Sequence, residues 1–324
     1  MQALIDWLQF TYKPIDSNGD SEPINESDVV SEILGLDFGQ FKPRKGLYFY
    51  KDGIENENVS VFFNGINEDM GYHVQMSGKG CRYMETKVNF NWGIFLTSLL
   101  AKGCKFSRID VAIDDKEYLD MNVVKTHLAE NAVSTLFKGY KFIQEYHFGD
   151  NKMKSETIYF GERTSDVFIR MYRKDLQSDG KIDAIRLETV MKRDRAQNFV
   201  LAYCNPESWY DLKGLISQVL GKYIRFLSEK KSEKGNVTRI STAKWWDEFL
   251  DSVEKLSLCN GKEDITMEKV CHWYERQVAA GLRLLCETKG ELYVERVWLT
   301  AKLSARHKRL KVRYLAEKRG EQSA

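Results

Sequence analysis

At 324 residues, with 43% hydrophobic and 30% charged side chains, the chain has the composition of a soluble globular protein long enough for two domains. It holds no run of about 18 apolar residues and no signal-peptide pattern, since Asp6 falls among the first residues; a cytoplasmic protein without membrane contact is expected. The net charge of +2 hides an asymmetry, because residues 301–324 carry eight Lys or Arg against two Glu, leaving a mildly acidic body with a basic tail that is either a nucleic-acid contact or a solvated helix end.

Along the chain, the first 230 residues read as mixed α/β. Val59 to Phe63 and Tyr72 to Met76 alternate as strands around turns at Asn64-Gly65 and Gly78-Lys79-Gly80. Phe95 to Ala101 reads as the end of a helix, Ser107 to Asp114 as a strand and Asp120 to Glu130 as a helix. A second half repeats the plan, with strands at Ile158 to Phe160, Phe168 to Tyr172 and Ala184 to Met191, followed by helix over Trp209 to Ser228. The expected fold class is α+β: one large, mostly antiparallel sheet built from two β-rich halves with flanking helices. Ser228 to Arg239 is polar, contains Gly235 and reads as a linker. Beyond it, Ala243 to Ser257, Thr266 to Leu285 and Leu292 to Glu317 carry apolar residues at helical spacing, with Asp264 as a candidate cap. The expected domains are therefore residues 1–230 and a small helical domain over 240–324. Six cysteines without a CxxC pair read as free core thiols.

Three segments carry chemistry. In Thr157 to Lys174, a Gly-containing turn leads into a strand that presents Arg170, Tyr172 and Lys174 on one face. A tyrosine between two cations suits attack on a phosphodiester, because the cations hold the phosphate and favour the phenolate. In Ser107 to Asp115, Ile109, Val111 and Ile113 face a core while Arg108, Asp110, Ala112 and Asp114 face the other way. Two carboxylates on one strand face require a cation nearby. In Ala184 to Asp194, Arg186 and Glu188 share a face. Carboxylate oxygens from neighbouring strands are ligands for hard divalent ions such as Mg²⁺.

In order and spacing these segments resemble the replication initiation factor (Rep_trans) family, the initiators of rolling-circle plasmids, with related relaxases of conjugative elements and filamentous-phage initiators. The resemblance rests on Arg108 to Asp115, on the Tyr-Phe-Gly turn Tyr159 to Gly161 followed by Phe168 to Lys174, on Arg186 to Asp194, and on the opening Ile5 to Thr11 as a first strand. It covers roughly residues 1 to 230. It implies a metal-dependent DNA nicking-closing enzyme in which Tyr172 forms a covalent 5′-phosphotyrosine, Asp110 and Glu188, with Asp114 as a third candidate, hold Mg²⁺ or Mn²⁺, and Arg170 and Lys174 stabilise the phosphate. The DNA-binding candidates are Lys79, Arg82, Arg108, Arg186, Lys192, Arg193 and Arg195, with Lys192 to Arg195 the densest cluster. The implied partners are origin or transfer-origin DNA, a second copy of the chain, and a separate helicase, because the sequence has no GxxxxGK[ST] motor motif.

Two other classes are excluded. None of the five histidines lies within two residues of another, which removes nickases with a His-hydrophobic-His metal site, and no His-x-x-Arg set of a tyrosine recombinase occurs. Tyr159 lacks flanking cations and reads as structural. A non-catalytic origin-binding regulator on the same fold and a metal-dependent nuclease that uses water remain as alternatives.

Overall fold

The computed structural model describes residues 2–14, 24–205, 211–230 and 239–250, and in the C-terminal part 267, 270–271, 274, 278–303, 308, 311–312 and 314–315. It divides into two compact units, Met1–Ser257 and Leu258–Ala324.

The first unit is organised by one antiparallel sheet of ten strands in the order β2-β3-β4-β5-β1-β6-β11-β10-β9-β8. The strands are β1 (Gln2–Tyr12), β2 (Lys42–Lys45), β3 (Tyr50–Asn56), β4 (Val59–Gly65), β5 (Tyr72–Met76), β6 (Lys105–Asp115), β8 (Tyr140–Tyr146), β9 (Met153–Phe160), β10 (Val167–Arg173) and β11 (Ile185–Lys192); β7 (Val133–Thr135) pairs apart from them with β12 (Ile224–Phe226). The order has an internal symmetry. In each half a long strand (β1 or β6) is followed by a four-strand meander (β2 to β5, or β8 to β11) whose last strand returns beside it. The two long strands pair with each other at the centre. The expected two-halved sheet is therefore the fold.

Alternation fixes which face is buried. Ile109, Val111 and Ile113 of β6, Leu187 and Met191 of β11, Ile169 and Met171 of β10, and Leu8 and Phe10 of β1 belong to one apolar core, and burying that face anchors the register. Helices α3 (Trp92–Ala101), α4 (Met121–Ala129), α6 (Asp194–Tyr203) and α7 (Leu212–Tyr223) contribute Leu96, Leu99, Val124, Phe199, Val200, Ile216 and Leu220 to that core. Asp120 caps α4 by accepting from the Asn122 and Val123 amides.

Several sequence expectations need correction. Gly78-Lys79-Gly80 is not a turn but the start of helix α2 (Gly78–Glu85). The segment expected as helix to Ser228 ends at Tyr223 and continues as β12. Polarity does not end the first unit at 228–239: residues 244–250 are helical, and Ala243, Trp246 and Phe249 are buried in the same core, with Trp246 at 5.0 Å from the Phe226 ring. Among the described cysteines, Cys81 and Cys104 are buried whereas Cys271 is exposed. In the second unit, helices Ala279–Lys289 and Glu291–Thr300 meet at Gly290, whose φ of 84° breaks them. Asp264 lies outside the described residues.

Candidate active site

The face opposite the core brings the three sequence segments together. Register sets Arg170 against Glu188 and Tyr172 against Arg186 across β10 and β11. It sets Arg186 against Asp114 and Glu188 against Ala112 across β11 and β6. Side chains at these positions share one face, so the tyrosine, both arginines and the acidic residues line one patch.

Within it, each carboxylate has an arginine. Glu188, 1% exposed, accepts from Arg170 Nη2 at 2.5 Å through Oε1, while its Oε2 faces the Tyr172 hydroxyl at 3.5 Å. Asp110, also 1% exposed, takes a two-pronged bond from Arg108 at 2.8 and 2.6 Å, and the Arg108 guanidinium lies 4.5 Å from the Trp7 ring. Burial pushes the Asp110 carboxyl up to about 7, the Arg108 bond and charge oppose that push, and the nearby Glu188 charge adds to it. Arg186 is buried between Asp114, at 2.6 and 2.7 Å, and Asp6, at 3.1 Å.

Asp6 was not singled out in the sequence. The β1–β6 register shifts between Ile5 and Trp7. Asp6 is the residue left over by that irregularity, and such bulges redirect a side chain. No short-range pattern encodes this; only the paired strand reveals it.

Tyr172 differs from expectation. Its ring is 6% exposed and flanked by Arg170 (5.5 Å) and Lys174 (5.7 Å). Arg170 pulls toward the phenolate but does not prevail in this state. Burial raises the Tyr172 pKa and the Glu188 carboxylate raises it further, outweighing Arg186 and Arg170. Lys174 opens the short helix α5 (Lys174–Gln177) rather than continuing the strand, and burial lowers its pKa.

The candidate ligands do not form one triad. Among the described residues no three His, Cys, Asp or Glu side chains cluster as a metal-holding group. Asp114 belongs with Arg186 and Asp6. Asp110 and Glu188 are the pair close enough to influence each other, and they suit a hard divalent cation. Both are buried oxygen donors, Asp110 is under-compensated as an anion, and Glu188 Oε2 has only a long bond to Tyr172.

The DNA-contact candidates separate. Arg108, Arg170 and Lys192, together with Arg163 and Phe168, line a cavity of about 210 Å³ on this face. Lys192 Nζ donates to the Arg163 carbonyl and lies 5.2 Å from the Phe168 ring. Arg163 donates to the Tyr159 hydroxyl at 2.5 Å and stacks on its ring. The sequence reading missed Arg163 and Phe168, although both fall inside the most informative block. Arg186 is not free to take a phosphate, because Asp114 and Asp6 occupy it inside the sheet. Arg193 pairs with Asp166, and Arg195 is exposed in the first turn of α6. Arg82 donates to the Ile5 carbonyl and Glu85, and Lys79 is exposed beside Gly78, where an added Cβ would lie 2.8 Å from the Asp6 carboxylate. A larger cavity of about 390 Å³ opens away from Tyr172, where Asp115, Lys125, Glu156, Arg173 and Asp175 meet; its charges are largely paired with each other.

The sequence model described as "Replication initiation factor" matches residues 104–299, more than half the chain and past residue 230, where the sequence resemblance stopped. The chain belongs to the replication initiation factor family. A second model, "Rolling Circle replication initiation protein N-terminal domain", matches residues 2–101. The two matches cover the two halves of the sheet, one each. Over 334 aligned residues the chain is 24% identical to a Bacillus subtilis (strain 168) protein described as "Putative DNA relaxase NicK", covering 97% of this chain and 90% of that one. A rolling-circle replication initiator protein from Geobacillus stearothermophilus has the same fold, with a TM-score of 0.70 and 30% identity over 78% of this chain and 97% of that one.

Proposed function

We propose that this family member is a site-specific DNA nickase and strand transferase that starts rolling-circle replication or conjugative transfer through Tyr172. The observation that carries the reading is the Tyr172 hydroxyl facing the Glu188 carboxylate on a patch walled by Arg170, Arg108 and Lys174.

Each residue then has a role. Glu188 Oε2, 3.5 Å from the hydroxyl, takes the phenolic proton, which the raised Tyr172 pKa requires to be removed on demand rather than lost beforehand. The Tyr172 oxygen attacks the scissile phosphorus in line, the tyrosyl–phosphate bond forms, and the bond to the departing 3′ oxygen breaks. Arg170 and Lys174 stabilise charge on the pentavalent phosphate. Asp110 and Glu188 would hold Mg²⁺ or Mn²⁺, which when bound polarises the phosphate and neutralises its charge. The covalent link conserves the energy of the phosphodiester, so the reverse attack rejoins the strand without ATP. Arg186 positions the patch by tying β11 to β6 and β1 through Asp114 and Asp6. The substrate is origin or transfer-origin DNA, unwinding falls to a separate helicase, and a second copy of the chain is a candidate partner. Among the described residues no helix is long and apolar enough to cross a membrane.

The test is incubation with Mg²⁺ and a supercoiled plasmid carrying the DNA that flanks the gene. Open circles with protein covalently attached support the proposal. Open circles without attached protein favour a nuclease using water, and tight binding without nicking favours a regulator.

A further inference from the structure

The half of the sheet without the tyrosine presents a different surface on the same face. Gln9, paired with Arg108 in β6 and Gln75 in β5, starts it. Gln9 Nε2 donates to Gln75 Oε1 and to the Tyr48 hydroxyl, both at 3.0 Å, and the Tyr48 hydroxyl donates to Gln75 at 2.6 Å. Tyr48 and its neighbour Phe49 form the turn between β2 and β3, closed by the Tyr50 amide on the Leu47 carbonyl at 2.9 Å. The turn therefore leans over the tyrosine-bearing face.

That turn is built against local preference. Tyr48 and Phe49 have φ of 54° and 68°. Two successive left-handed residues suit Asn-Gly, and bulky side chains there are strained. Phe49 is 75% exposed, so burial does not offset the strain. Lys45 and Lys51 stand exposed beside the tip, with Asp52 exposed opposite Lys45. Strain retained at an exposed aromatic tip flanked by lysines points to a ligand with flat faces.

The surface continues to the proposed nucleophile. From Tyr172 it passes Arg170, then the cavity of Phe168, Arg163, Lys192 and Arg108, then Trp7 and Gln9, to Tyr48 and Phe49. Tyr172 is level with Asp114, six residues along β6 from Arg108, and β1 lies three strands from β10. At strand spacings of about 3.3 Å per residue and 4.8 Å per strand the stretch from Tyr172 to Gln9 is roughly 25 Å long. In the cavity Arg163 bonds to the Tyr159 hydroxyl and Lys192 to the Arg163 carbonyl rather than to a carboxylate, and burial followed by repulsion from Arg108 lowers the Lys192 pKa.

We propose that this path is a single-stranded DNA track, in which the cavity holds a nucleotide next to the scissile phosphate and Phe49 stacks on a base several nucleotides away. The proposal rests on the nicking function above. Arg163 and Lys192, which bond to neutral oxygens rather than carboxylates, take the phosphates, and the aromatic rings give a sequence-tolerant platform. The N-terminal half of the sheet, with Gln9, His73 and Gln75 on this face, is then a binding copy of the catalytic half.

The test exploits the strain. Phe49→Asn fits the left-handed turn, so it should raise the melting temperature while weakening DNA binding. Binding is measured by fluorescence anisotropy with origin oligonucleotides of about 16 and about 4 nucleotides that span the nick, shortened from each end in turn. The expected result is a loss of about tenfold on the long oligonucleotide, no change on the short one, and normal nicking of the short one. Arg163→Gln should weaken both lengths. Equal affinity of Phe49→Asn and wild type for the long strand would overturn the track, as would a loss confined to duplex DNA. A wild-type protein that binds but never nicks would overturn the nicking function instead, so the two failures are distinguishable.

Discussion

Protonating the unfolded chain at His73 should destabilise this protein well above the pH at which ordinary carboxylates titrate. His73 is 7% exposed, its Nδ1 bonds to the Thr11 hydroxyl at 3.0 Å, and its Nε2 is buried without a hydrogen-bond partner among the described residues. Its ring packs on Tyr48, Tyr50 and Phe62. A proton on Nε2 would find no acceptor there, and burial lowers the folded pKa from 6.5 to about 4. The folded state therefore refuses a proton that the unfolded state accepts below 6.5. The stability contribution is complete above pH 6.5, declines between 6.5 and 4, and is lost below. The gap corresponds to roughly 3 kcal/mol. Urea unfolding at several pH values across that window measures it, and His73→Phe supplies the reference, since carboxylates elsewhere titrate equally in both proteins. The wild-type curve should fall toward that of His73→Phe as pH drops. Parallel curves would refute the reasoning.

The other predictions concern the site and the core. Asp110→Asn and Glu188→Gln should each fold normally and lose Mg²⁺-dependent nicking by at least about 100-fold, and wild-type Mg²⁺ affinity should rise through pH 7 as the Asp110 proton leaves; a nicking rate unchanged in Glu188→Gln across a Mg²⁺ titration would remove that residue from the site. Arg186→Met leaves Asp6 and Asp114 facing each other without their cation and should cost about 3–5 kcal/mol by urea unfolding, whereas a residue acting only on DNA would leave stability unchanged. Trp246→Ala should cost about 3–5 kcal/mol and destabilise the sheet unit itself, read by the unfolding of residues 1–257 prepared alone, because its indole sits in that core.

How far the sequence was legible follows from burial. β6, β10 and β11 were readable because each buries one face and alternates cleanly, and the face they share carries Tyr172, Glu188 and Asp110. β8 was not readable, since it is exposed along nearly its whole length and carries no two-residue period. β2 and β3 were hidden by Pro43, Gly46 and Gly53. Trp246 and Phe249 were assigned to a separate helical domain because a polar stretch precedes them, yet polarity marks a surface loop as readily as a boundary. The sequence shows which cations flank Tyr172 but not how deeply the ring is buried, and burial reverses the sign of its pKa shift. Asp6 depends on a strand irregularity and Arg186 on partners far away in sequence, both of which exist only in the paired sheet.

The central claim is that Tyr172 becomes covalently joined to DNA. Digesting the nicked complex with trypsin and nuclease, then sequencing the nucleotide-bearing peptide by mass spectrometry, tests it directly. The account predicts a 5′-phosphotyrosyl adduct on Tyr172 that disappears in Tyr172→Phe, while origin binding by that variant stays within about twofold of wild type. An adduct on Tyr159, or nicking that survives in Tyr172→Phe, would contradict it.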